Sequence, residues 1–295
     1  MMQELKGLGV AMVTPFSDNQ SVDYAGLERL VKHLHKGADY LVVMGTTGES
    51  ATLSEEEQMA VLGFVTEINA GKLPIVYGMG GNATAVLARR MADFPKADHR
   101  DVVAFLSVSP YYNKPNQEGI VQHYKALSTA TPLPIIAYNV PGRTGSNILP
   151  ETTLRLAQEA RKVIGIKEAA ASIEQVMHLA RILPPDFLLI SGDDALVLPH
   201  MACGGHGVIS VVGNAYPDLF GKMVHAAAAG DYATARALHY RILPLISSLF
   251  AEGNPTGIKE VLRHLGICGN AHRLPLVPAS KGLSEGLYGE VASLG

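Results

Sequence analysis

The chain has 295 residues, 47% of them hydrophobic and 17% charged, with a formal net charge of −3. That make-up can bury one large core, and it offers no basic field to nucleic acid or an anionic membrane. No apolar run reaches the roughly 18 residues needed to cross a bilayer. The opening MMQELKGLGV lacks the layout of a secretory signal. Cys203 and Cys268 stand far apart, with neither metal nor redox spacing. A reduced, cytoplasmic setting with both thiols inert in the core is the expectation.

Along the chain, short β-rich apolar runs recur at 7–16 (GLGVAMVTPF), 40–45 (YLVVMG), 74–80 (PIVYGMG) and 102–109 (VVAFLSVS). Four more follow at 134–140 (PIIAYNV), 163–169 (VIGIKEA), 187–192 (FLLISG) and 207–213 (GVISVVG). The segments between them carry helical period. Leu27, Leu30, Val31 and Leu34 fall at i, i+3, i+4 and i+7, an amphipathic stripe. Ser54 with Glu57 and Ser172 with Gln175 fit the capping box of a helix start. Strands alternating with helices imply parallel pairing, and eight units predict an α/β fold, a closed (β/α)8 barrel. An open doubly wound sheet is the alternative with the same rhythm.

Beyond about residue 216 the strand signal stops. PDLFGKMVHAAAAGDYATARALHYRILPLISSLF and TGIKEVLRHLG read as helices broken at Gly230 and Pro255. The expected organisation is therefore a barrel over 1–230 that carries the active site, and a small helical domain over 231–295.

Barrel enzymes place their chemistry at the C-terminal ends of the strands and in the loops that follow. The second strand ends in MGTTGES, where glycines flank the hydroxyls of Thr46 and Thr47; the same stretch is also an ordinary glycine turn. The fourth ends in SPYYNKP, with Tyr111 and Tyr112 on a rim loop where tyrosines commonly serve packing or an interface. The fifth runs PIIAYNVPGRTG. Alternation turns Tyr138 inward, and Arg143 follows on the loop, free to hold a carboxylate or to form a surface ion pair. The sixth, in KVIGIKEAA, carries Lys167.

Alternation groups Gly165, Lys167 and Ala169 on one face and Ile164, Ile166 and Glu168 on the other. The small-residue face has room for a long side chain and is the expected interior. A lysine there loses hydration, which disfavours the ammonium form. Its free amine can attack a ketone and form a Schiff base, an electron sink for the neighbouring carbon. The bland alternative is a lysine that reaches solvent or pairs with a carboxylate. Tyr138, on the adjacent strand about 4.8 Å away, is positioned as a proton shuttle.

Two rival signals are weak. GMGGNA (78–83) matches a dinucleotide fingerprint, but the next strand ends in SVSP without the acidic residue that fingerprint needs. GDDA (192–195) could offer Asp193 and Asp194 to a metal, yet no histidine or carboxylate cluster joins them. A turn and helix cap is the better reading. No metal site and no cofactor is expected.

Together, GTTGES, SPYYNKP, YNVPGRTG, GIKEA, SGDD, GGHGVISV and GNPTGIKEVL resemble the dihydrodipicolinate synthase family, in order, from about residue 5 to residue 290. The resemblance implies a lyase of lysine and diaminopimelate biosynthesis, built as a barrel with a helical C-terminal domain. In such enzymes the lysine matched by Lys167 condenses with pyruvate, and the enamine attacks L-aspartate 4-semialdehyde to give 4-hydroxy-tetrahydrodipicolinate. Thr46 and Thr47 match the threonines of the pyruvate site, and Thr47 also the first member of a proton relay. Tyr138 matches the relay's central phenol, and Tyr112 the tyrosine that completes the neighbouring subunit's site. Arg143 matches the arginine that holds the semialdehyde carboxylate. Gly192 and Ile209 match backbone positions that line the pyruvate pocket. A homo-oligomer is implied, usually a tetramer built from two tight dimers.

Relatives within the wider pyruvate-dependent family act on 2-keto-3-deoxy sugar acids, and the NVPGRTG loop with Arg143 favours aspartate semialdehyde over those. Tyr111, Asn82 and Ser50 match the lysine-feedback site of many bacterial members. Val86 stands where that site has a carboxylate, and Glu55 where a histidine is common. Weak or absent lysine inhibition is therefore expected.

Overall fold

The computed structural model describes residues 2–294. Eight parallel strands close on themselves in sequence order. They are β1 (Gly7–Ala11), β2 (Tyr40–Val43), β3 (Ile75–Gly78), β4 (Val102–Val108), β5 (Ile135–Asn139), β6 (Val163–Glu168), β7 (Leu188–Ser191) and β8 (Gly207–Ser210). All eight lie within the runs read from the sequence, and closure excludes the open sheet. The first run was read too long. After Ala11 the chain leaves the ladder, and Phe16 forms an isolated bridge to Val22.

The helices of the barrel are α1 (Tyr24–Leu34), α2 (Glu55–Asn69), α3 (Thr84–Ala92), α4 (Gln117–Ala130), the single turn α5 (Pro141–Thr144), α6 (Pro150–Glu159), α7 (Ile173–Ile182), α8 (Val197–Ala202) and α9 (Pro217–Ala228). Helix α1 shows why they form. Asp23 caps its first turn by accepting from Gly26 N, and the stripe Leu27, Leu30, Val31 and Leu34 is completely buried. Each such side chain is worth about 1.5–3 kcal/mol on burial. The Ser54–Glu57 capping box at α2 is complete in both directions. The Ser172–Gln175 box is only half made. Ser172 accepts from Gln175 N, but the Gln175 amide turns to Glu168 and Asn147 instead of returning to the cap.

Three further helices follow the barrel: α10 (Tyr232–Leu249), α11 (Thr256–His264) and α12 (Lys281–Leu294). The breaks at Gly230, with φ of 80°, and at Pro255 are where the sequence put them. Helix α12 was not read from the sequence, because KGLSEGLYGE carries three glycines and little periodic apolar signal. Cys268 is buried and its thiol pushed up to about 12, whereas Cys203 is only half-buried; both are free. No described helix is long and apolar enough to cross a membrane.

Two apolar layers result. The larger lies between the barrel wall and the helices. The inner one fills the barrel with Tyr40, Val42, Val76, Leu106, Ile136, Leu188, Ile190 and Ile209. Ile164 belongs to this inner layer, against the simple alternation. Between Ile135 and Ile136 the β5–β6 register jumps from Val163 to Gly165, so Ile164 is skipped as at a bulge and its side chain is redirected.

Candidate active site

Register places the central pair. Tyr138 on β5 stands directly opposite Lys167 on β6, and Lys167 opposite Ile190 on β7. Both Lys167 and Tyr138 are buried, 7% and 8% exposed, and the lysine Nζ lies 4.4 Å from the phenol ring centroid. Among the described residues Lys167 has neither a carboxylate partner nor a hydrogen bond. The adjacent Glu168 points the other way. It accepts from Asn139 Nδ2 at 2.9 Å, Gln175 Nε2 at 2.9 Å and Ala170 N at 2.6 Å. Burial pushes its carboxyl up, against the pull of those bonds. A buried amine with no counter-ion is costly as structure and useful as a nucleophile.

Gly192, after β7, makes room for that amine. Its N–H donates to Glu168 O at 2.7 Å, and a Cβ there would sit 3.0 Å from Lys167 Cε and 2.7 Å from Ala169 Cβ. The stem of Lys167 therefore occupies space that only a glycine leaves open. Ile209 on β8 is buried in the same inner layer.

After β2, Thr46–Gly48 forms one tight turn in which Thr46 is exposed and Thr47 buried. Thr14 Oγ1 donates to Gly48 O at 2.7 Å, and Asn254 Nδ2 donates to Thr47 Oγ1 at 2.9 Å. The next residue, Glu49, is buried against Lys259 of α11, and the two side chains form a fully buried ion pair. Desolvation pushes the Glu49 carboxyl up and the Lys259 amine down, each opposed by the other's charge. Sequence reading missed both Asn254 and Lys259. The only signal was their place in GNPTGIKEVL, more than 200 residues from the turn they touch.

Arg143 lies in α5, immediately after β5, with its guanidinium exposed and no ion pair among the described residues. Tyr112 is 90% exposed at a φ of 73°, on a loop held by Asn82 Nδ2 to Tyr111 O (3.1 Å) and Asn113 Nδ2 to Asn82 O (3.1 Å). The glycine-rich stretch before α3 thus staples a neighbouring loop. Asp193 caps the turn after β7 by accepting from Ala195 N and Leu196 N. Asp194, buried and pushed up to about 6 by desolvation, accepts from Val211 N and Val212 N. These bonds are those of a turn and a loop, not of a helix cap, since α8 has Leu196 at its N-cap and no side-chain bond there. Among the described residues no group of three His, Cys, Asp or Glu side chains could hold a metal.

A cavity of about 510 Å³ opens at the opposite end of the barrel, lined by Lys6, Asp39, His206 and His225 among others. His225 Nε2 and Asp39 satisfy each other at 2.8 Å there. No strand C-terminus reaches it, and it is not the end of the barrel where such folds carry their chemistry.

Residues 4–291 match the model of the dihydrodipicolinate synthetase family. The chain is 49% identical over 289 residues to a 4-hydroxy-tetrahydrodipicolinate synthase of Flavobacterium psychrophilum, covering 97% of each. Among solved structures it is similar to dihydrodipicolinate synthase of Thermotoga maritima, with a TM-score of 0.93 and 39% identity over 98% of both chains. It is equally similar to a monomeric dihydrodipicolinate synthase variant, with a TM-score of 0.94 and 38% identity over 99% of this chain and 98% of that one. A full-length match of this kind, on a barrel with an unpaired interior lysine, means that the chain belongs to the dihydrodipicolinate synthetase family.

Proposed function

We propose that the protein condenses pyruvate with L-aspartate 4-semialdehyde to give 4-hydroxy-tetrahydrodipicolinate, as the names of its relatives indicate. The observation that carries this reading is the unpaired Lys167 amine against Tyr138 in the barrel interior. Lys167 Nζ attacks the C2 carbonyl of pyruvate, and loss of water leaves an imine. A proton then leaves the C3 methyl, and the enamine carbon forms a bond to the semialdehyde's aldehyde carbon. The substrate's own amine attacks C2, closes the ring and releases Lys167. Tyr138 moves the protons at each step.

In this reading Thr46 and Thr47 hold the pyruvate carboxylate, with Gly192 and the Ile209 backbone beside it. Thr47 was expected to open the proton relay. Its oxygen already accepts the Asn254 amide, which suits a fixed anchor, so we assign the relay hydroxyl to the exposed Thr46. Arg143, with no ion pair among the described residues, holds the semialdehyde carboxylate bidentately. Tyr112 projects from its stapled loop into a second copy, which makes the working form a homo-oligomer, a tetramer built as a dimer of dimers. A cytoplasmic site of action and a boundary near residue 230 between barrel and helical domain complete the proposal.

The test is an acceptor panel. With pyruvate fixed, L-aspartate 4-semialdehyde is predicted to give turnover and sugar aldehydes none. Preference for a sugar aldehyde would assign the protein to the 2-keto-3-deoxy sugar-acid aldolases instead.

A further inference from the structure

We infer that Asn254, from the helical extension, is a positioning residue that sets the Thr47 hydroxyl for the keto acid's carboxylate. This rests on the reading that Thr47 holds pyruvate. Asn254 Nδ2 donates to Thr47 Oγ1 at 2.9 Å across 207 residues of sequence. The amide consumes one lone pair of that oxygen, so the hydroxyl proton is left to donate to a carboxylate. A donor bond into the oxygen also polarises the O–H and strengthens the bond it gives.

The bond is kept at a cost. Asn254 Oδ1 is buried without a partner among the described residues, and an unmet buried acceptor is uncommon away from functional places. The extension grips the same turn a second time. Lys259, five residues further along and within α11, meets Glu49 in the buried ion pair and donates to Ala271 O at 2.9 Å. Arg273 adds a third hold. Its guanidinium meets both carboxylate oxygens of Glu57 at 2.6 and 2.8 Å and donates to Thr52 O at 2.9 Å. The pyruvate-binding turn is thus framed by the extension, and Asn254 is the one contact that reaches a hydroxyl of the site.

The discriminating variant is Asn254→Asp, which keeps the shape and reverses the polarity. A carboxylate there accepts the Thr47 proton and repels the keto acid. Loss of a hydrogen bond to a charged group predicts a rise in pyruvate KM of roughly 10–100-fold, with the semialdehyde KM and the melting temperature little changed. Asn254→Ala should give a smaller rise, and Thr47→Val combined with Asn254→Asp no more than the larger single effect. If Thr47→Val raises pyruvate KM while a folded Asn254→Asp does not, the positioning role is wrong. Unchanged pyruvate KM in Thr47→Val removes the pyruvate reading at Thr47, and the inference with it. Equal losses for both substrates together with a lowered melting temperature would reduce Asn254 to a structural part.

Discussion

Lys167 and Tyr138 face each other across adjacent strands, with the lysine Nζ 4.4 Å from the centre of the phenol ring. The pair sits in an otherwise apolar barrel, and no carboxylate among the described residues competes for the amine. The first prediction concerns the phenol. Tyr138→Phe keeps the ring and its packing but removes the proton carrier, so kcat should fall by about 10²–10⁴-fold with the fold intact. Steady-state rates beside a melting curve check this, and an unchanged rate would refute the role.

The glycine beneath the amine gives a second prediction. In Gly192→Ala the new methyl meets Lys167 Cε at 3.0 Å and Ala169 Cβ at 2.7 Å. Displacing a nucleophile by about 1 Å can cost about 10²-fold. Imine formation, followed by borohydride trapping with pyruvate, should slow by that order. Trapping at the wild-type rate would show that the stem has room to spare.

Arg143 is exposed and has no ion pair among the described residues. Arg143→Ala should raise the semialdehyde KM roughly 10–100-fold, the worth of a charge-assisted hydrogen bond. Pyruvate trapping should be nearly unaffected. A matching defect in pyruvate trapping would move Arg143 to the other substrate.

Lysine control can be read from what surrounds Asn82 and Tyr111. Those two are joined through the Asn82 amide, but Val86 offers an exposed methyl pair where an ammonium group would need a carboxylate. Glu55 is already engaged by Arg90 at 3.0 Å. Millimolar lysine should leave the initial rate almost unchanged, and strong inhibition would contradict this.

Acid stability should depend on Glu57. Its hydrogen bond with Arg273, with help from Ser54 N–H, lowers the carboxyl from 4.5 to about 2. A carboxyl depressed by folding adds stability that is complete above its unfolded value and is lost as pH falls through the folded one. The melting temperature should therefore drop between about 4.5 and about 2, and Glu57→Gln should flatten that limb. An identical acid limb in the variant would assign the loss to other groups.

Much of the fold was legible because it is local. Eight apolar runs, the Leu27–Leu34 stripe and the Ser54 cap each follow from spacing within a few residues. The Lys167–Tyr138 pair was legible too, since consecutive strands of a barrel are neighbours. Ile164 was misread because a register shift leaves no mark in composition. The Gln175 side chain was misassigned because a buried carboxylate, Glu168, outcompetes the helix cap for its amide. Asn254 and Lys259 could not be found by any local pattern. Their partners Thr47 and Glu49 lie on the other side of the barrel sequence, and only the closed fold brings them together.

If Lys167 is the nucleophile, borohydride reduction in the presence of pyruvate will trap its imine. The expected result is one pyruvyl adduct per chain, mapped by peptide mass to Lys167 and absent from Lys167→Ala. An adduct on another lysine, or none in a folded and active wild type, would contradict it.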